Sequence, residues 1–233
     1  MTIMPFPSAH ARHTLAEWGL STLVTVLLLE ITLLNPLVEL GILDRHLMGV
    51  AFVLAVLIAV AALSWRNWLA RCFIASSVGA VAVRVANLFL TDASLRVWDA
   101  SLTLASAALL AALVLWQVFT PGRMSIHRLL GAIAAYLLIG MGFAQVYRLI
   151  THWAPPAFLV QGVPIPYDAL VPRLEYYSFV ALTSLGFGDI VPVHPIARSV
   201  TILETLVGVL YPAVLLGYLV SLERRATHDD REH

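Results

Sequence analysis

Six separate runs of mostly apolar residues dominate this chain, and each is about as long as a bilayer crossing requires. A membrane-spanning α-helix needs roughly 20 such residues. Lipid-exposed loops and open strands are excluded at that depth, because their backbone polar groups find no partner there. We therefore predict an all-α membrane protein with six transmembrane helices. The six segments cover Leu15–Asn35, His46–Ser64, Cys72–Leu90, Val97–Thr120, Arg128–Ile150 and Ile196–Leu222.

Composition and charge exclude several other classes of protein. Hydrophobic residues make up 60% of the 233 positions and charged residues only 12%, about half the charge of an ordinary soluble domain. The formal net charge is zero, so no basic surface for nucleic acid is expected. Cys72 is the single cysteine, and a disulfide within one chain is therefore impossible. We predict a lipid bilayer as the surroundings and no nucleic-acid partner.

Arginine placement predicts how the helices are oriented. Positive residues concentrate on the cytoplasmic side of membrane proteins. With six helices, eight arginines fall on one side and four on the other, which predicts cytoplasmic N- and C-termini. The larger group contains Arg12, Arg66, Arg71, Arg123, Arg128, Arg224, Arg225 and Arg231, and the smaller contains Arg45, Arg96, Arg173 and Arg198. The compact, alanine-rich chain, in which every basic residue is an arginine, favours a bacterial plasma membrane.

The connection between the fifth and sixth segments differs from the others. Its first part, His152–Pro172, is rich in proline and predicts an irregular external turret. Its second part, Pro172–Ser184, predicts a short re-entrant helix, since proline is well tolerated in a first helical turn. The glycine-containing stretch up to Asp189 follows directly.

The seven residues from Thr183 to Asp189 (TSLGFGD) resemble the selectivity filter of the potassium channel family, and the resemblance extends over residues 125–222. It implies a homotetrameric pore that passes K⁺ ions and needs no organic cofactor, because each chain supplies one quarter of a carbonyl ring. The implied K⁺ ligands are the carbonyl groups of Ser184, Leu185, Gly186 and Phe187. Gly188 completes the filter, Asp189 lies at the outer mouth, and Thr183, Tyr176 and Tyr177 support the filter.

The residue types fit the chemistry of such a filter. A ring of carbonyl oxygens replaces the hydration shell of the ion. Successive carbonyls then have to face one axis, which requires alternating backbone conformations that include positive φ. Glycine reaches positive φ without steric cost, and Gly186 and Gly188 occupy those positions. Leu185 and Phe187 are expected to point away and to pack behind the filter.

Two residues depart from the family's commonest pattern. Ser184 stands where threonine is usual, and Phe187 stands where tyrosine is usual. Phe187 has no hydroxyl to bond the aromatic residues of the re-entrant helix, Tyr176 and Tyr177. We hypothesise a filter that inactivates or gates readily.

The sixth segment is expected to line the inner cavity. Gly208 matches the family's hinge glycine in position, and a hinge there and close helix packing remain equally open. Pro212 predicts a kink, and Gly217 is expected to permit close packing. Glu204 lies about two turns into the segment, where we expect it to support the filter from behind, through a hydroxyl of the re-entrant helix.

Two further charges lie within the first four segments. Glu30 and Arg84 are predicted at nearly equal depth, so we expect an ion pair between them, with Asp99 as a second candidate. The fourth segment contains no arginine between Val97 and Thr120. A voltage sensor needs several, because each charge that crosses the field supplies only about 2.3 kcal/mol per 100 mV. Steep voltage gating is therefore not expected.

These expectations divide the chain into three parts: a four-helix membrane domain (1–122), a pore domain (123–222) and a short cytoplasmic tail (223–233). So short a tail predicts that any regulatory ligand-binding domain belongs to a separate subunit. A weakly selective cation channel is the first alternative. A membrane enzyme or transporter is the second, although the buried ionisable residues are scattered and no internal repeat is visible.

Overall fold

Long apolar helices are the dominant elements of the computed structural model, which describes residues 20–43, 49, 68–90, 93–119, 126–166 and 169–229. Within these residues, five helices are long and apolar enough to cross a membrane. They are α1 (Leu20–Glu39), α2 (Trp68–Phe89), α3 (Ala93–Phe119), α4 (Ile126–Trp153) and α6 (Pro195–Asp229). They correspond to the first, third, fourth, fifth and sixth predicted segments. The second segment, His46–Ser64, lies outside the described residues apart from Gly49.

Helix α1 changes its hydrogen-bonding pattern near its C-terminal end. Glu30–Leu34 form a π-helical turn, and Asn35–Glu39 continue as α-helix. The wide turn comes just before Pro36, which has no N–H to donate to the preceding turn. Glu30 and Asn35 therefore bracket an irregular stretch of an otherwise regular helix.

Helices α1 to α4 share one apolar core, and α3 lies between α2 and α4. Four alanines on α4 are fully buried, three of them in this core, and such small side chains let neighbouring helices approach closely. The largest fully buried side chains in this core are Leu23, Leu27, Phe73, Val114 and Val118.

The turret contains a small sheet, so the all-α prediction was wrong for this region. Strands β1 (Phe158–Val160), β2 (Val163–Pro164) and β3 (Ile190–Pro192) pair antiparallel in the order β2-β1-β3. Gln161 and Gly162 turn the first hairpin with φ of 50° and 84°, which is the requirement of a two-residue turn. The prolines lie in the two edge strands, where a missing N–H is tolerated.

The short helix α5 covers Leu170–Leu182, close to the predicted Pro172–Ser184. Its 13 residues are too few to cross a bilayer. It packs against α4 and α6, and a second core lies beneath the turret. There the rings of Tyr147, Phe158 and Tyr177 meet edge to face, with centroids 5.0–5.3 Å apart. Strand β3 then ties the chain that leaves the filter-like segment to the same turret.

Candidate functional site

Three hydrogen bonds define where α5 ends. The N–H groups of Thr183, Ser184 and Leu185 each donate to a carbonyl of the last turns of α5, at 3.0 Å. The chain leaves the helix immediately afterwards. The segment that resembles a filter therefore starts from a fixed position.

The backbone of this segment alternates in hand. Ser184, Gly186 and Gly188 have φ of 60°, 58° and 77°, whereas Leu185 and Phe187 between them do not have positive φ. Positive φ was predicted at both glycines. It was not predicted at Ser184, since a non-glycine residue rarely adopts it. A serine gives no indication of positive φ. The conformation of Ser184 could have been predicted only by extending the alternation of Gly186 and Gly188 back by two residues.

Side chains of the segment are exposed in the single chain. Leu185 and Phe187 are 59% and 64% exposed. More than half of each side chain is uncovered in the single chain, and their packing behind the filter stays a prediction. Apolar side chains of α6 are exposed too, and only 11% of its apolar window is buried. The filter segment and α6 thus share a large uncovered apolar surface.

The end of α5 is held by hydroxyl groups of its neighbours. Tyr136 on α4 donates to the carbonyl of Leu182 at 3.3 Å. Thr205 on α6 lies 3.3 Å from the carbonyl of Ala181. These contacts fix the carbonyl end of α5 directly before the filter segment.

Glu204 is fully buried where α4, α5 and α6 meet. Its two carboxyl oxygens contact the hydroxyls of Ser178 on α5 and Tyr147 on α4. Sequence reasoning placed Glu204 near a hydroxyl of the re-entrant helix, and Ser178 is that hydroxyl. Tyr147 was missed, because a tyrosine in an apolar segment gives no signal of its own.

The two tyrosines of α5 lie on different faces. The Tyr177 hydroxyl contacts Thr201 on α6 at 2.7 Å. Tyr176 is exposed. Partial burial and then the neighbouring Asp189 carboxylate raise the pKa of Tyr176. Tyr176 therefore lies beside the predicted outer mouth, whereas Tyr177 anchors α5 to α6.

Glycines on α6 differ in what surrounds them. A Cβ atom placed on Gly208 would lie 1.8 Å from the carbonyl oxygen of Leu182, whereas one on Gly217 would meet nothing within 4 Å. Gly208 thus permits a close backbone approach, and its role as a hinge stays a prediction. The close packing expected at Gly217 is absent within the described chain. Pro212 lies inside the continuous helix α6.

A buried ion-pair network joins α2, α3 and α4. Asp99 binds Arg84 at 2.9 Å through one oxygen and Arg148 at 3.0 Å through the other. The expected Glu30–Arg84 pair was therefore wrong, and the second candidate, Asp99, is the partner. Asp99 lies on the antiparallel neighbour of α2 and so faces Arg84 directly. Arg148 donates to the side-chain oxygen of Gln145 at 2.5 Å. The two residues are three positions apart on one helix, and this sequence spacing could have predicted their contact.

Two buried acids lie between α1 and α5. Glu30 is 8% exposed, and its Oε2 atom has no hydrogen-bond partner among the described residues. Glu175 accepts a hydrogen bond from the Asn35 amide, and burial raises its pKa. Arg173 and Glu39 form a more exposed pair at 3.2 Å. The C-terminal end of α1 therefore contacts α5 at two points.

Comparison with known proteins identifies the region that carries this geometry. Residues 172–225 match a family model described as "Ion channel". This match supports an ion channel family for the chain. It covers most of α5, the filter segment, β3 and most of α6, and it supports passive ion conduction by an integral membrane protein. Searches of curated proteins and of solved structures return no match.

Proposed function

We propose that this chain is one subunit of a homotetrameric, potassium-selective channel. K⁺ binds to backbone carbonyls of Ser184, Leu185, Gly186 and Phe187, with the Ser184 hydroxyl as the innermost ligand. Asp189 concentrates cations at the outer mouth. A bacterial plasma membrane and cytoplasmic termini remain predictions.

The alternating backbone of residues 184–188 is the observation that carries this proposal. In an ordinary strand, successive carbonyls face opposite sides. Positive φ at every second residue reverses alternate peptide groups, so that successive carbonyls face one side. Such a row of oxygens is what a dehydrated K⁺ ion requires. The C-terminal, negative end of α5 adds a favourable potential for a cation.

The exposed apolar surface supports assembly from several copies. Leu185 and Phe187 are uncovered in one chain, and so is most of α6. A single filter segment supplies only one side of an ion cage. Four copies around one axis complete the cage and give these apolar side chains neighbours.

The described residues of α3 argue against steep voltage gating. Arg96 near its outer end is its single arginine. Movement of several charges through the field is needed for a steep response. We propose that another stimulus opens the pore.

The test is the reversal potential of the purified protein in a planar bilayer, with K⁺ on one side and Na⁺ on the other. We expect reversal close to the potassium equilibrium potential. A reversal near zero with clear single-channel current would favour the weakly selective cation channel. Absence of ion current from well-folded protein would refute the proposal.

A matched pair of variants locates the pore. Gly186→Ala and Gly162→Ala both place a methyl group on a residue with positive φ, at 58° and 84°, with nothing within 4 Å. Each costs about 1–2 kcal/mol of backbone strain. Gly186→Ala is expected to abolish K⁺ selectivity or current, because it disturbs the filter. Gly162→Ala changes only the turret turn and is expected to leave the reversal potential unchanged.

A further inference from the structure

The hydroxyl of Ser178 contacts two oxygen atoms although it has one proton to donate. One contact is to the carbonyl oxygen of Gly140 on α4, at 2.7 Å. The other is to Oε1 of Glu204. A carbonyl oxygen only accepts hydrogen bonds, whereas a serine hydroxyl donates one and accepts up to two. If Ser178 donates to Gly140, the proton in its contact with Glu204 comes from Glu204.

The other hydrogen bonds around Glu204 need no further proton. Tyr147 donates to the other oxygen of Glu204. Tyr177 donates to Thr201 at 2.7 Å, and Thr201 donates to the carbonyl of Ala197 at 2.8 Å. With one proton on Glu204, every one of these contacts contains one donor and one acceptor, and only the longer approach of Tyr147 to Thr201, at 3.4 Å, is left without a proton. With an ionised Glu204, the contacts of Ser178 lack one proton.

The surroundings of Glu204 favour the neutral form as well. It is fully buried, and no ion pair of the described residues includes it. A buried carboxylate without a counter-charge is strongly unfavourable, because its lost hydration is not replaced. Among the described residues, the titratable groups that face it are three tyrosines: Tyr136 and Tyr147 on α4 and Tyr177 on α5.

We propose that Glu204 is a neutral carboxylic acid that donates to Ser178, accepts from Tyr147, and so acts as the positioning residue that holds α5 against α4 and α6. Ser178 lies less than two turns before the end of α5. A change at this contact is therefore transmitted to the start of the filter segment. Ionisation of Glu204 replaces a donor by a negative charge beside the Ser178 oxygen and loosens α5.

Infrared spectroscopy of the purified protein in lipid tests the proton directly. The carbonyl stretching band of a protonated carboxylic acid is expected at neutral pH. Subtracting the spectrum of Glu204→Gln isolates the part that belongs to Glu204. A difference spectrum with carboxylate bands and no carboxylic-acid band would overturn the inference. This measurement requires no ion current, so its outcome is independent of the proposed channel function.

Ion current tests the positioning role, and this arm does rest on the proposed function. Glu204→Gln keeps a donor for Ser178 and an acceptor for Tyr147, so we expect current close to wild type. Glu204→Leu removes both and is expected to lower the current by about tenfold or more, the effect of leaving buried polar groups unpaired. Equal losses in the two variants would overturn the positioning role. Should Glu204→Leu not fold, Glu204→Gln decides alone, since loss of its current contradicts the proposal.

The dependence of the ion current on alkaline pH provides a second test, because a residue with only a structural role would not change it. Wild-type current is expected to fall as Glu204 ionises, whereas the current of Glu204→Gln persists. Both proteins contain the same three tyrosines, which ionise near pH 10 in model peptides, so the difference between them belongs to Glu204. Identical pH profiles would contradict the proposal.

Discussion

Replacing Gly208 by alanine is expected to force α6 away from the end of α5. The added Cβ would lie 1.8 Å from the carbonyl oxygen and 2.7 Å from the carbonyl carbon of Leu182. Side-chain atoms do not approach closer than about 3 Å, so the two backbones must separate by roughly 1.2 Å in a tightly packed interior. Leu182 is fully buried and bonded to Tyr136. Little freedom remains to absorb that shift.

The expected cost follows from overpacking a buried contact. Such insertions cost about 1–3 kcal/mol, and a clash with backbone belongs at the upper end, near 3 kcal/mol. Alanine also favours the helix over glycine by up to about 1 kcal/mol. Gly217→Ala on the same helix gains the same propensity and meets nothing within 4 Å. The difference between the two variants therefore isolates the contact with Leu182.

Thermal unfolding in detergent, followed by tryptophan fluorescence, measures that difference. Gly208→Ala is expected to unfold at a lower temperature than wild type, and Gly217→Ala at the same or a higher one. Bilayer recordings should show loss of current in Gly208→Ala, since Leu182 precedes the filter segment. Equal stability of the two variants would refute the reasoning. Normal stability with slowed opening would instead favour the hinge.

Three further predictions concern the buried polar groups and the filter. Asp99→Asn removes the counter-charge of two buried arginines and should lower the free energy of unfolding by roughly 3–5 kcal/mol. Glu39→Gln, in a more exposed pair, should lower it by under about 1 kcal/mol. Similar unfolding temperatures of the two variants would contradict this. Asn35→Asp places an acid against Glu175 and should lower the unfolding temperature. Adding Glu175→Gln should restore that temperature, because the new amide supplies a hydrogen-bond donor. A double variant that unfolds at the same temperature as the single one would refute the pairing. Phe187→Tyr supplies the missing filter hydroxyl and should slow the decay of current during sustained recording, so an unchanged decay would count against a hydrogen-bonding deficit.

The positions of the helices along the chain were predictable, because one physical rule dominates them. The bilayer demands apolar helices of fixed length, so five predicted segments overlap described helices. Their described ends agree within a few residues, except that α6 continues to Asp229, beyond the predicted Leu222. The short helix before Thr183 and the positive φ of Gly186 and Gly188 were predictable too. Between two membrane spans, few other structures are compatible with a short helix followed by two closely spaced glycines.

Other features depended on which side chains meet. The turret sheet was missed because its strands have two or three residues each, too few for an alternating pattern. The depth of Arg84 was estimated well enough to find Asp99 as a candidate. The rotation of the helices about their axes then decided between Asp99 and Glu30.

The sequence by itself determined the membrane class, most helix positions, the short helix α5 and the place of the candidate filter, because each depends on local composition and spacing. Only the tertiary structure decided the three-helix contact of Glu204, the sharing of Asp99 by two arginines and the close approach at Gly208. These depend on distances between residues far apart in the chain. A helical pattern determines which residues share a face, whereas packing of the helices determines what that face meets.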